Sequence, residues 1–136
     1  MSPLTNDERK FLLELANEAR RRAYAPYSGY KVGSALRTKS GKFYTGVNVE
    51  SAAYPMTMCA ERVAIYKAVS EGEREFEAIS VVTDNGGTPC GGCRQVLAEF
   101  ELEIIVLIGD GSGKLLQETT VGKLLPGAFT PKDLPK

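Results

Sequence analysis

The stretch Ala78-Ile79-Ser80-Val81-Val82-Thr83-Asp84-Asn85-Gly86-Gly87-Thr88-Pro89-Cys90-Gly91-Gly92-Cys93 decides the fold. Its first six residues form a compact run with β-branched side chains at Ile79, Val81 and Val82, the pattern of a strand buried on both faces. The next six are loop formers. Pro89 ahead of Cys90 then marks a helix start, with the helix predicted over 90–100. A second apolar run at 104–108 predicts another strand. Alternation of strand and helix over 76–108 implies parallel pairing with helices on the faces of the sheet, an α/β arrangement. After 104–108 only Gly109-Asp110-Gly111-Ser112-Gly113 precede a short strand predicted over 114–118. A parallel neighbour needs a crossover of about a dozen residues, so this link permits only an antiparallel hairpin if the two strands are neighbours.

Upstream, Thr5-Asn6-Asp7-Glu8 reads as a capping box. Behind it Phe11, Leu12, Leu15, Ala16, Ala19 and Ala23 recur at helical spacing, which predicts an amphipathic helix over 6–23. Arg20, Arg21 and Arg22 on its other face read as a solvated or inter-subunit surface. Pro26-Tyr27-Ser28-Gly29 breaks the pattern. Strands are predicted at 31–38 and 42–49, joined by a turn at Lys39-Ser40-Gly41. A second helix is predicted over 59–70, with Val63, Ile65, Tyr66 and Val69 as its apolar positions and Gly72 ending it. A last helical turn is expected at 121–125, before a tail rich in proline and glycine. With no internal repeat or linker, the 136 residues read as a single domain over 1–136.

The chemistry lies in the cysteines. There are three, Cys59, Cys90 and Cys93, and no histidine. Cys90 and Cys93 form a C-x-x-C pair, and Cys59 opens Cys59-Ala60-Glu61. A structural zinc site fills four tetrahedral positions from Cys and His, which one subunit of this chain cannot do. Three protein ligands and an open position describe a catalytic zinc. A glutamate two residues after the first ligand, followed downstream by P-C-x-x-C, is the known signature of zinc deaminases, in which the glutamate moves protons and does not bind metal. The competing readings explain less. A redox dithiol leaves Cys59 and its context unexplained, buried core thiols would not all fall in one signature, and a zinc clip shared between subunits leaves Glu61 idle. Both ligand groups sit at helix starts, where unpaired N–H groups and the helix dipole favour thiolates. Arg62, at i+3 from Cys59, is placed to donate to a ligand sulfur and offset the charge of a tri-thiolate site.

Composition narrows the partners. Hydrophobic residues make up 43% and charged residues 25%, ordinary for a soluble globular protein. Lys plus Arg and Asp plus Glu are both 17. Nucleic-acid-binding domains usually carry a basic excess, so a small, nearly neutral substrate is expected rather than nucleic acid. No apolar run reaches the ~20 residues of a membrane span. MSPLTNDERK lacks the apolar core of an export signal, and thiols that must stay reduced to bind metal point to the cytoplasm.

Cys59-Ala60-Glu61-Arg62, Pro89-Cys90-Gly91-Gly92-Cys93-Arg94-Gln95 and Gly46-Val47-Asn48-Val49-Glu50 together resemble the small cytidine deaminases. So do Tyr24-Ala25-Pro26-Tyr27-Ser28 and Leu124-Leu125-Pro126-Gly127-Ala128-Phe129. The resemblance spans residues 23–129. It implies a three-layer α/β/α sandwich around a five-stranded mixed sheet, assembled as a homotetramer with active sites shared between subunits. It also implies hydrolytic deamination of cytidine and deoxycytidine to the uridines, as in pyrimidine salvage. One zinc per subunit, held by Cys59, Cys90 and Cys93, would activate the water that attacks C4, and Glu61 would shuttle its protons. Asn48 and Glu50, taken as i and i+2 on one face of a strand, would bind the ribose hydroxyls. Ala60 would line the substrate pocket, and Tyr30, where the family commonly has phenylalanine, would stack on the base. Ala52 and Tyr54 would be lent by one neighbouring subunit, and Phe129 across another interface. Polynucleotide deaminases usually run their last two strands parallel through a helix, for which this chain lacks the residues. A blasticidin-type deaminase is the nearest enzymatic alternative. A zinc-stabilised binding protein is the non-enzymatic one, disfavoured by the intact Glu61.

Overall fold

The computed structural model describes residues 4–135. Met1, Ser2, Pro3 and Lys136, at the two ends of the domain expected over 1–136, lie outside the described residues.

The capping box forms as expected. Glu8 N donates to Thr5 Oγ1 at 3.1 Å and Thr5 N donates to Glu8 Oε1 at 2.8 Å. Helix α1 (Asn6–Arg20) follows and stops three residues short of the predicted end. The cause is a backbone pairing further on. Tyr24 N donates to Asn48 O at 3.0 Å and Tyr24 O accepts from Glu50 N at 2.9 Å, which draws the chain out of the helix. The buried face of α1 is Leu12, Leu13, Ala16 and Ala19. Phe11 instead stays half exposed at the margin, edge-on to Phe43 with ring centroids 5.1 Å apart.

The strands are β1 (Gly33–Thr38), β2 (Phe43–Val47), β3 (Phe76–Thr83), β4 (Ile105–Asp110) and β5 (Leu115–Thr120), in one sheet of order β2-β1-β3-β4-β5. Only β3 and β4 pair in parallel, and the other neighbours are antiparallel. The short link does return as a hairpin, with Ile105 opposite Thr120 and Ile108 opposite Gln117. β2 is shorter than predicted. Beyond Val47 the chain leaves the sheet, and Val49 bridges to Tyr24 and Met58 instead. Asn48 and Glu50 therefore lie just past the strand rather than on it.

Alternation along the strands divides the core in two. Ala35, Ala78, Val82, Ile105 and Leu107 pack with Leu12, Leu13 and Ala16 of α1. Leu36, Ile79, Val106 and Ile108 pack on the opposite face, against α2 (Ala60–Ser70), α3 (Gly91–Ala98) and α4 (Val121–Leu124). The result is three layers, helix, mixed sheet and helices. A buried polar tie crosses the first interface. The fully buried Ser80 hydroxyl donates to Leu12 O at 2.7 Å, so it leaves no unpaired donor in the core.

Helix α2 departs from its expected face. It buries Ala60, Glu61, Ala64, Ile65 and Ala68, while Tyr66 is 45% exposed. The helix backbone lies so close to β2 at Gly46 that Ala60 and Ala64 face the strand there, with Val63 beside them, and Tyr66 turns outward. Among the described residues no helix is long and apolar enough to cross a membrane.

Candidate active site

Two helix N-termini converge beyond the carboxyl end of β3, the usual place for a site in an open α/β sheet. Cys59 is the N-cap residue of α2 and Cys90 that of α3, and Cys93 is the buried third residue of α3. Neither N-cap thiol caps a backbone N–H of its own helix, so both sulfurs are free to turn toward each other. Cys59 Sγ lies 3.7 Å from Cys90 Sγ, which lies 3.4 Å from Cys93 Sγ, and all three fall within 4.8 Å of one another. Zinc–sulfur bonds of about 2.3 Å in a tetrahedron put sulfurs roughly 3.8 Å apart, so the three thiols fit zinc. They form the one such cluster among the described residues, and with no histidine in the chain a fourth position is left for water or substrate.

The charges around the sulfurs are arranged for thiolates. Hydrogen bonding from Cys93 lowers the Cys59 thiol to about 5, helped by Arg62, whose Nη2 donates to Cys59 Sγ at 3.3 Å. The Cys93 thiol moves up because it keeps the proton shared with Cys59 and because it is buried. Cys59, which faces Arg62, is the thiol best placed to carry negative charge, and a bound metal would displace the remaining thiol protons. Arg62 Nε is buried without a hydrogen-bond partner, so the Nη2 bond to Cys59 Sγ, reinforced by charge, commits its guanidinium to this corner. Glu61 is 4% exposed, and burial raises its carboxyl to about 7, with the charge on Cys59 acting in the same sense.

Cys59, Cys90 and Glu61 open onto a cavity of about 240 Å³. Tyr30, Asn48, Glu50 and Ala60 line it together with Cys59, Glu61 and Cys90. Asn48 is pinned at both ends of its amide, accepting from Val32 N at 2.9 Å and donating to Tyr30 O at 2.8 Å. Glu50 accepts from Tyr27 N at 3.0 Å, Ser28 N at 3.1 Å and the Ser28 hydroxyl. The Ser28 hydroxyl bond leads in holding its carboxyl below the ordinary range. A larger cavity of about 400 Å³ lies at the opposite end of β3 and β4, beside Lys39, Glu101 and Lys123. It holds no thiol, so chemistry rather than volume singles out the smaller one.

Three expected residues lie outside this pocket. Ala52 is exposed. Tyr54 is 71% exposed in an adjoining concavity and meets the Tyr27 ring at 6.1 Å. Phe129 is 56% exposed, with its carbonyl accepting from Gln95 Nε2 at 2.8 Å. Sequence reasoning missed three residues that matter locally. Ser28 orients Glu50, and Thr83 lines the pocket floor at the end of β3. Arg94 donates to Pro89 O at 2.7 Å, Leu124 O at 2.8 Å and Thr88 Oγ1 at 3.0 Å, fixing the segment that enters Cys90. The available signal for Arg94 was its i+4 spacing from Cys90, which returns its side chain to the first turn of α3.

Fold and thiol cluster together define the class, an α/β domain in which three thiols at paired helix N-termini could hold a zinc ion. The family profile described as the cytidine and deoxycytidylate deaminase zinc-binding region matches residues 6–108, and the chain belongs to that family. It is 49% identical to the cytidine deaminase of Sporosarcina psychrophila, over 94% of this chain and 95% of that one. It is 48% identical to the cytidine deaminase of Halalkalibacterium halodurans, over 93% and 98% of the two chains. The crystal structure of cytidine deaminase from Burkholderia pseudomallei superposes with a TM-score of 0.85 at 44% identity, covering 93% of this chain and all of that one.

Proposed function

We propose that this protein is a cytidine deaminase, converting cytidine and deoxycytidine with water to uridine and deoxyuridine plus ammonia. The observation that carries this is the buried Glu61 carboxylate beside three thiols that fit zinc, at the end of a pocket lined by Asn48 and Glu50. Cys59, Cys90 and Cys93 would hold one zinc per subunit, which when bound supplies a Lewis acid and acidifies water. Glu61 does the proton work. It accepts one proton from the attacking water and passes it to the ring N3, then takes the second from the hydroxyl on C4 and passes it to the departing amino group, which leaves as ammonia, a role that suits a carboxyl hidden from solvent. Glu50 stays ionised through its three donors and accepts from the ribose 3′-hydroxyl. Asn48 has one lone pair and one N–H left over after its two internal bonds, enough to bond a second ribose oxygen. Tyr30 and Ala60 wall the base, and Arg62 balances charge at Cys59.

The working enzyme on this reading is a single domain over 1–136, a homotetramer in the cytoplasm that serves pyrimidine salvage. Exposed Tyr54 and Phe129 support shared sites, because aromatic rings left in water on one subunit are suited to closing a neighbour's pocket. Net charge of zero supports a free nucleoside over a polynucleotide. The test is a product assay by absorbance with cytidine, deoxycytidine, blasticidin S and a cytosine-containing oligonucleotide. Turnover of the two nucleosides is expected. Preferential turnover of blasticidin S, or of the oligonucleotide, would overturn the assignment.

A further inference from the structure

We propose that the Tyr30 hydroxyl is a positioning group, holding the loop between β3 and α3, and with it the entry to Cys90, against the opposite wall of the pocket. The hydroxyl donates to Asn85 Oδ1 at 2.8 Å, joining segments 55 residues apart in the chain. Both ends of this bond are anchored. Tyr30 N donates to Ser28 Oγ at 3.0 Å, and Tyr30 O accepts from Asn48 Nδ2 at 2.8 Å. Across the pocket, Gly87 N donates to Thr83 Oγ1 at 2.8 Å and Thr83 Oγ1 donates to Asn85 Oδ1 at 3.4 Å, so the loop closes on the end of β3.

Gly87 is the counterpart of the hydroxyl. A Cβ built there would stand 2.6 Å from Tyr30 Oη but 3.8 Å from Tyr30 Cζ and 3.8 Å from Thr83 Oγ1. The hydroxyl thus occupies the space a side chain at position 87 would take. Gly87 is not among the glycines of positive φ, so its backbone does not itself demand glycine. Alanine at 87 collides with tyrosine at 30 and makes only ordinary contact with phenylalanine there. Tyr30 and Gly87 are a matched pair.

The loop runs from Gly87 through Thr88, which lines the pocket, to Cys90. An aromatic ring alone would form a wall. The hydroxyl adds a latch that keeps the facing wall ordered before substrate arrives, and a substrate that must order the loop itself binds less tightly. This kinetic consequence rests on the deaminase reading. The latch does not.

Hydrogen exchange of the zinc-loaded protein, followed by mass spectrometry over residues 84–89, tests it. Tyr30→Phe, Gly87→Ala and Asn85→Ala should each speed exchange about three- to tenfold, the scale of one hydrogen bond. The Tyr30→Phe/Gly87→Ala double variant should exchange no faster than the faster single, because both changes remove the same bond. In cytidine assays Tyr30→Phe should raise KM by a similar factor while kcat stays within about twofold. Unchanged exchange in Tyr30→Phe and Asn85→Ala, or fully multiplicative effects in the double variant, would overturn the proposal. If exchange responds as expected while the wild type leaves cytidine untouched, the latch stands and the deaminase reading falls.

Discussion

Ala60 passes so close to Gly46 that a methyl group on the glycine would stand 2.3 Å from the Ala60 carbonyl oxygen and 2.6 Å from Ala64 N. Both obstacles are backbone, which cannot swing aside. The contact sets how near the first turn of α2 approaches β2, and that turn carries Cys59 and Glu61. Gly46→Ala should therefore cost about 1–3 kcal/mol or more of stability and weaken zinc retention at the same time. A denaturation midpoint and a zinc content both equal to wild type would show that α2 can shift without harm.

Arg94 gives a second test of how the site is held. Its three donors tie Thr88, Pro89 and Leu124 together next to Cys90. Arg94→Ala removes all three at once, at roughly 0.5–1.5 kcal/mol for each bond. Zinc should be lost to a chelator faster than from wild type, with the secondary structure retained. Arg94→Lys, which keeps the charge but not the fork of donors, should be nearly as leaky. Wild-type release rates in both variants would assign Arg94 to the surface.

How much of this was legible beforehand depends on the kind of signal. The β4–β5 hairpin followed from chain length alone, because five residues cannot make a crossover. The gathering of three thiols beside Glu61 followed from spacing, because the geometry a shared metal requires imposes it. The face of α2 did not, since its burial is decided by how closely Gly46 lets the helix approach, a tertiary fact. The end of α1 was hidden for a similar reason, as Tyr24 pairs with residues 48 and 50, far along the chain. Asn48 and Glu50 do reach the pocket, but from a segment past the strand held by Ser28 and Tyr30. Nothing in a strand pattern announces such long-range hydrogen bonds.

The capping box predicts a pH effect with a definite sign. Glu8 is held below the ordinary carboxylate range, first by Thr5 N and then by its bond to Arg37. A carboxyl depressed in the folded state contributes stability above its unfolded pKa of about 4.3. That contribution is lost as pH falls through the lower folded value. Glu8→Gln should flatten the fall of stability in that acidic window and leave its slope near neutrality unchanged. Denaturant midpoints measured across the acid range will check this, and an unaltered acid slope would mean that Glu8 is not a significant titrating contact.

Assembly is tested through Phe129. Light scattering should report a particle of four times 14.7 kDa. Phe129→Ala should raise KM for cytidine without changing zinc content. A monodisperse monomer with full activity would contradict shared sites and leave Tyr54 and Phe129 as surface residues.

The central claim, that Glu61 moves the protons in a zinc-dependent deamination, is tested most directly by Glu61→Gln. Glutamine keeps the size of the side chain and removes its capacity to take a proton. Turnover of cytidine should fall by about 10²–10⁴-fold, the range of general acid–base groups, and because Glu61 serves several transfers the upper end is expected. Metal analysis of the same sample should still give one zinc per chain. Turnover within about threefold of wild type, with zinc bound, would lie far below that range and contradict the account.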